Sequence, residues 1–184
     1  MNPKFVAYIG PMFGSKTTRL IGSIDRYVRQ KKNVVAFKPK IDNRYSRDKI
    51  CTHNGASFQA YTVSDGIQMK ELLKDLSYDV IAIDEAFMID GCSDVAINEF
   101  RKGKTILISS IQLSSNCEPF EEVSKMLPWA TKIEVCSAIC PVTGNDAYYT
   151  AAKFSNKDKT PKVGADDLYE PRSHKCHPCF IDYE

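Results

Sequence analysis

The chain reads as an α/β protein, a parallel sheet flanked by helices with a small second domain at its carboxyl end, and three observations predict this. Short β-branched apolar runs alternate with helical periodicity over roughly the first 130 residues. A glycine-bearing loop lies between the first apolar run and the first helical pattern. At Ile133 the composition turns to cysteines, tyrosines, glycines and a charged stretch, SNKDKTPK.

Each element follows in order. FVAYI at residues 5–9 is a strand, and TTRLIGSIDRYVRQ carries apolar residues at helical spacing. NVVAFKP is the second strand; residues 41–58, rich in Asp, Asn, Arg, Ser and Gly, lack a helical period and form an extended or hairpin insertion. GIQMKELLKDL is the next helix, and DVIAIDEA and TILISSI are further strands. Strand-helix alternation of this kind gives a parallel sheet. The division predicted is a main domain over 1–132 and a small domain over 133–184.

With 184 residues, 43% of them hydrophobic, the chain can bury a sizeable core as one main domain and a small appendage. Its 25 basic and 23 acidic residues leave a net charge of +2, so no strong field points to nucleic acid or a membrane, and neither is expected as a partner. No apolar run reaches the length of a membrane span, and Gly10 and Pro11 interrupt the short amino-terminal run, unlike a signal peptide. The expectation is a cytoplasmic protein, in a host's cytoplasm if viral.

The loop reads GPMFGSKT, residues 10–17. In a phosphate-binding loop, consecutive backbone N–H groups and the positive end of the following helix cradle phosphates, a lysine reaches the β- and γ-phosphates, and a hydroxyl holds Mg²⁺. Lys16 and Thr17 fit those roles. The regular pattern places glycine directly before the lysine, where Ser15 stands here, one place after Gly14.

Asp84 and Glu85 follow an apolar strand, at the end where α/β sheets bind ligands. Asp84 suits the acid that holds Mg²⁺, and Glu85 can face an acceptor hydroxyl as general base. Asp42, Arg44 and Tyr45 follow the second strand, so Arg44 can neutralise charge on a transferring phosphoryl group. A solvated helix start or a surface turn would explain these residues taken singly.

Four of seven cysteines fall in close pairs, Cys136 with Cys140 and Cys176 with Cys179, which suggests zinc in an intracellular chain. His174 and His177 lie beside the second pair as alternative ligands.

Together these residues resemble the zinc-containing thymidine kinases, the family with cellular, bacterial, poxviral and phage members. The ordered series is GPMFGSKTT (10–18), KPKIDNRYS (38–46), CTH (51–53), IDEAF (83–87), CSAIC (136–140), AYYT (147–150), VGADDLYEPR (163–172) and CHPC (176–179). The resemblance implies a RecA-like P-loop sheet and a small zinc-held module whose lasso-like loop closes over the nucleoside. It implies that Gly10, Pro11, Met12, Phe13, Gly14, Ser15, Lys16, Thr17 and Thr18 bind ATP, with Asp42 and Asp84 serving Mg²⁺. Catalysis would rest on Glu85, Arg44 and Lys16, and Zn²⁺ on Cys136, Cys140, Cys176 and Cys179. The nucleoside would meet Met12, Met88, Phe120, Thr150, Val163, Gly164 and Tyr169. The implied activity is transfer of the ATP γ-phosphoryl to thymidine or deoxyuridine by a homotetramer subject to feedback by thymidine triphosphate.

Several positions depart from the family. Ser15 replaces the loop glycine, Met88 a pocket aromatic, and Gln112, Leu113, Ser114 and Ser115 stand where the family has an Asp-Gly-Thr-Phe type segment. Counting from Tyr169, the family's third cysteine ligand falls on Ser173. Such divergence resembles a phage or viral copy. The alternative reading is a divergent nucleotide-binding protein with weakened or redirected kinase activity.

Overall fold

The computed structural model describes residues 2–42, 46–52, 54–153 and 168–181. Strand β1 (Phe5–Ile9) leads through the loop into helix α1 (Lys16–Arg29), and β2 (Val34–Pro39) follows. The insertion takes the hairpin form, β3 (Lys49–Cys51) pairing antiparallel with β4 (Ser57–Gln59). Then come β5 (Tyr61–Val63), α2 (Gly66–Lys74), β6 (Val80–Ile83), α3 (Cys92–Arg101), β7 (Thr105–Ser110) and α4 (Glu121–Met126).

The predicted parallel sheet is present. Its six strands run in the order β5-β2-β6-β7-β1-β8, every pairing parallel, with β8 spanning Lys132–Val135. The sheet therefore continues past the division expected at residue 132, because β8 pairs with β1 through Val6 to Ile9.

Side chains along a strand alternate between faces, and the core divides accordingly. Phe5, Ala7 and Ile9 join Phe37, Ile81, Ile83, Ile106 and Ile108 beneath α2, α3 and α4. Val6 and Tyr8 join Ala36, Val80, Ala82 and Leu107 on the other face, covered by Leu20, Ile24 and Tyr27 of α1. Those three lie four and then three residues apart, the single-face spacing that makes α1 amphipathic. Helix α2 is held at its start by Asp65, whose side chain accepts from the Gln68 amide at 2.8 Å.

After β8 the chain forms two small antiparallel pairs, β9 (Ala138–Ile139) with β10 (Asp146–Ala147) and β11 (Tyr149–Ala152) with β12 (Tyr169–Arg172). A short helix α5 (Pro178–Ile181) closes the described chain. Since all six sheet strands are parallel, the loops that follow β1, β2, β6, β7 and β8 gather at one edge, where a ligand site is expected.

Candidate active site

At that edge the loop after β1 is shaped by its glycines. Gly10 has φ 148°, and a Cβ there would collide with the Cys136 carbonyl oxygen. The backbone just beyond β8 thus lies directly against the loop. Phe13 and Ser15 both adopt left-handed backbone, and Ser15, with φ 59° and ψ 23°, is the residue that enters α1. It occupies the conformation a glycine takes without strain. Its side chain makes no cap hydrogen bond to the helix.

Lys16 is buried and folds back so that its Nζ donates to the Pro11 carbonyl at 2.6 Å. The ammonium is thereby held inside the curve of the loop. Thr17, one residue on, donates through Oγ1 to Asp84 Oδ1 at 3.2 Å. This contact joins the end of β1 to the end of β6 across β7, which lies between them. Ser109, at the end of β7, donates to the same Asp84 oxygen.

Asp84 is buried, and burial with the neighbouring Glu85 charge pushes its carboxyl up to about 7; the Ser109 and Thr17 hydroxyls pull the other way and Asp42 adds to the rise. Three carboxylates in one low-dielectric corner repel one another. Such a corner favours the arrival of positive charge. Glu85 stands beside it with φ 48° and ψ 47°, another non-glycine residue in left-handed backbone, opening a single helical turn at Ala86–Met88.

Asp42 is also buried, its Oδ2 4.0 Å from Lys38 Nζ. Lys38 itself is only 3% exposed and donates to the carbonyls of Ser46 at 2.8 Å and Lys49 at 3.3 Å. It thereby ties the end of β2 to the residues that lead into β3. Sequence alone does not single out Lys38 or Ser109: a lysine inside an apolar strand run is the only local signal for the first, and nothing local marks the second.

The residues expected to meet a nucleoside are partly brought together. Thr150 is buried in β11, and its Oγ1 accepts the Met12 amide of the loop at 3.1 Å. Tyr169 is buried opposite Ala152 in the paired strand. Phe120 packs its ring 4.6 Å from that of Phe87, which follows the acidic pair, and Met88 is half-buried in the same turn. Arg44, Val163 and Gly164 lie outside the described residues.

The expected four-cysteine cluster is not assembled. The Cys136 amide continues the ladder to the Ile9 carbonyl at 2.7 Å, which turns its side chain into the apolar face under α1. Cys140 and Cys176 do meet, Sγ to Sγ at 3.3 Å, beside the hydroxyls of Thr143 and Ser173, which lie 3.1 Å apart. Cys179 is elsewhere: with Cys117 and His177 it forms the one group of three donors, among the described residues, whose ligand atoms lie within 4.8 Å of one another. Pairing by sequence spacing failed here because Cys117 arrives from the loop after β7, 60 residues from His177.

Chemically, the edge offers a tight loop with an inward-folded ammonium, a hydroxyl joined to a buried carboxylate, and a second acid next to it, a set of groups suited to phosphate chemistry. Comparison with known proteins agrees with that chemistry. The family model described as thymidine kinase matches residues 4–177. A thymidine kinase of Pyrobaculum aerophilum is 31% identical over 180 residues, covering 92% of this chain and 96% of that protein.

Proposed function

Because the chain belongs to the thymidine kinase family, we propose that it transfers the γ-phosphoryl of ATP to the 5′-hydroxyl of thymidine or deoxyuridine, in pyrimidine deoxynucleotide salvage. A nucleoside is the substrate class that membership brings; the choice among nucleosides is the proposal.

The observation that carries the reading is the Thr17–Asp84 hydrogen bond at 3.2 Å. It brings the phosphate loop and the acidic strand end to one point. The loop amides and Lys16 would bind the β- and γ-phosphates, with Lys16 exchanging the Pro11 carbonyl for phosphate oxygen. Thr17 and Asp84, with Asp42 nearby, offer hydroxyl and carboxylate oxygens, a donor set that fits a hard divalent cation. Mg²⁺ held there would neutralise charge between the terminal phosphates.

Glu85 would accept the proton of the 5′-hydroxyl, and Arg44 would offset charge on the transferring group. Thr150, Met12, Met88, Phe120, Val163, Gly164 and Tyr169 would line the nucleoside pocket. The organisation we propose is a nucleotide-binding unit running to Val135 and a second module from Cys136 onward, the whole assembling as a homotetramer with thymidine triphosphate as feedback inhibitor. Among the described residues no helix is long and apolar enough to cross a membrane.

The test is transfer of label from γ-labelled ATP to a panel of nucleosides with Mg²⁺ present. Thymidine and deoxyuridine should be phosphorylated, Lys16→Ala should abolish transfer, and Glu85→Gln should cost about 10²- to 10⁴-fold in kcat while ATP still binds. Bound ATP without a phosphorylated nucleoside would refute the reading.

A further inference from the structure

The zinc ion that the family resemblance implies has two candidate corners in this chain, and they differ in donor chemistry. The Cys140–Cys176 corner offers two thiols and the two hydroxyls of Thr143 and Ser173, with Ser173 Oγ 3.4 Å from Cys176 Sγ. Zinc in proteins is held by thiolate, imidazole and carboxylate, so neutral hydroxyls leave that corner two ligands short. The hydroxyls instead hydrogen-bond one another and the thiol, which is what a packed, metal-free corner does.

The second corner has the right donors. Cys117, His177 and Cys179 place two thiols and an imidazole within 4.8 Å of one another. Cys117 Sγ lies 3.7 Å from His177 Nδ1. For Zn–S of about 2.3 Å and Zn–N of about 2.0–2.1 Å at tetrahedral angles, sulfur and nitrogen sharing an ion should be about 3.5–3.6 Å apart.

The orientation of His177 is an independent sign. Its side chain is fully buried and its Nε2 lies 3.1 Å from the Thr150 carbonyl, which can only accept, so the ring proton sits on Nε2. Nδ1 therefore carries the lone pair and faces Cys117, also accepting the Cys179 amide at 3.2 Å. A ligating histidine that donates its other N–H to a backbone carbonyl is the usual way a metal site fixes its imidazole.

We propose that Cys117, His177 and Cys179 form a zinc-binding clasp, displaced from the corner at Cys140 and Cys176, that fastens the loop between β7 and α4 to the carboxyl-terminal segment. A water would complete the tetrahedron. Zinc entry would release the protons of the two thiols and replace the Cys179 N–H on Nδ1.

The experiment titrates Zn²⁺ and Co²⁺ into the full-length, metal-stripped protein. One ion per chain is expected, with the visible absorption of tetrahedral cobalt and a thiolate charge-transfer band. Cys117→Ser and Cys179→Ser should each weaken binding by about 100-fold or more, whereas Cys140→Ser and Cys176→Ser should leave it unchanged. In the unsubstituted protein, zinc should shield Cys117 and Cys179, but not Cys140 and Cys176, from alkylation mapped by mass spectrometry, a readout independent of how the variants fold. Loss of the ion on Cys140→Ser or Cys176→Ser, shielding of that pair instead, or no tight zinc at all would overturn the proposal.

Discussion

Ser15 shows how a single backbone angle bears on the loop after β1. A non-glycine residue at φ 59° and ψ 23° costs about 1–2 kcal/mol, partly offset because serine has less backbone entropy to lose on folding than glycine. Ser15→Gly should therefore stabilise the protein by about 0.5–1 kcal/mol in thermal melts and tighten ATP binding. Weaker ATP binding in that variant would show that the serine hydroxyl itself takes part. Asp84 gives a second expectation, and its sign follows from the raised carboxyl, about 7 against 3.8 unfolded. Between these values the native state holds a proton that the unfolded chain has released, so the stability of the metal-free protein falls as pH rises from about 4 to 7. Asp84→Asn removes the buried charge. It should raise metal-free stability at pH 8 by on the order of 1–3 kcal/mol and flatten the pH slope, while abolishing turnover. A variant less stable than the parent at pH 8 would contradict this account of the corner.

Elements were legible where burial is two-sided. Strands β1 and β6 are buried along their whole length, so FVAYI and VIAI stand out as continuous apolar runs, and their ends locate the loop and the acids. Strand β8 was not legible. It is an edge strand with exposed Lys132, Ile133 and Val135, so it carries no apolar run, and the boundary expected after residue 132 falls within it. The place of the loop at residues 10–17 and of the acidic pair at one sheet edge could be read because each follows an apolar run directly in sequence; the Cys117 cluster could not, because only the fold brings its members together. Lys38 lies between these cases, a charge inside a strand whose partners come from the following insertion. Lys38→Met should leave the Ser46 and Lys49 carbonyls and the Asp42 carboxylate without their buried cation. The expected loss is about 2–4 kcal/mol of stability, with a raised KM for ATP, read by chemical denaturation and steady-state kinetics. An unchanged denaturation midpoint would mean that the insertion is anchored without Lys38.

At the scale of the molecule, the carboxyl-terminal segment and the loop after β1 are linked by hydrogen bonds through a single residue. The structure supplies a continuous path. His177 contacts the Thr150 carbonyl, and the Thr150 hydroxyl accepts the Met12 amide, so one residue of β11 touches both the clasp and the loop. Because Met12 precedes Lys16 in the same turn of chain, a shift of Thr150 alters where the loop amides point. Thr150→Val keeps the volume and the backbone carbonyl but removes the acceptor. It should therefore leave zinc binding intact while releasing the Met12 end of the loop. A lost hydrogen bond of this kind is worth about 1 kcal/mol, which predicts a roughly fivefold drop in kcat/KM with melting little changed. Kinetics with both substrates varied would locate the effect. A change in the KM for ATP as well as for nucleoside is expected if Thr150 positions the loop, whereas a change confined to nucleoside would reduce Thr150 to a wall of the pocket and disconnect the clasp from nucleotide binding.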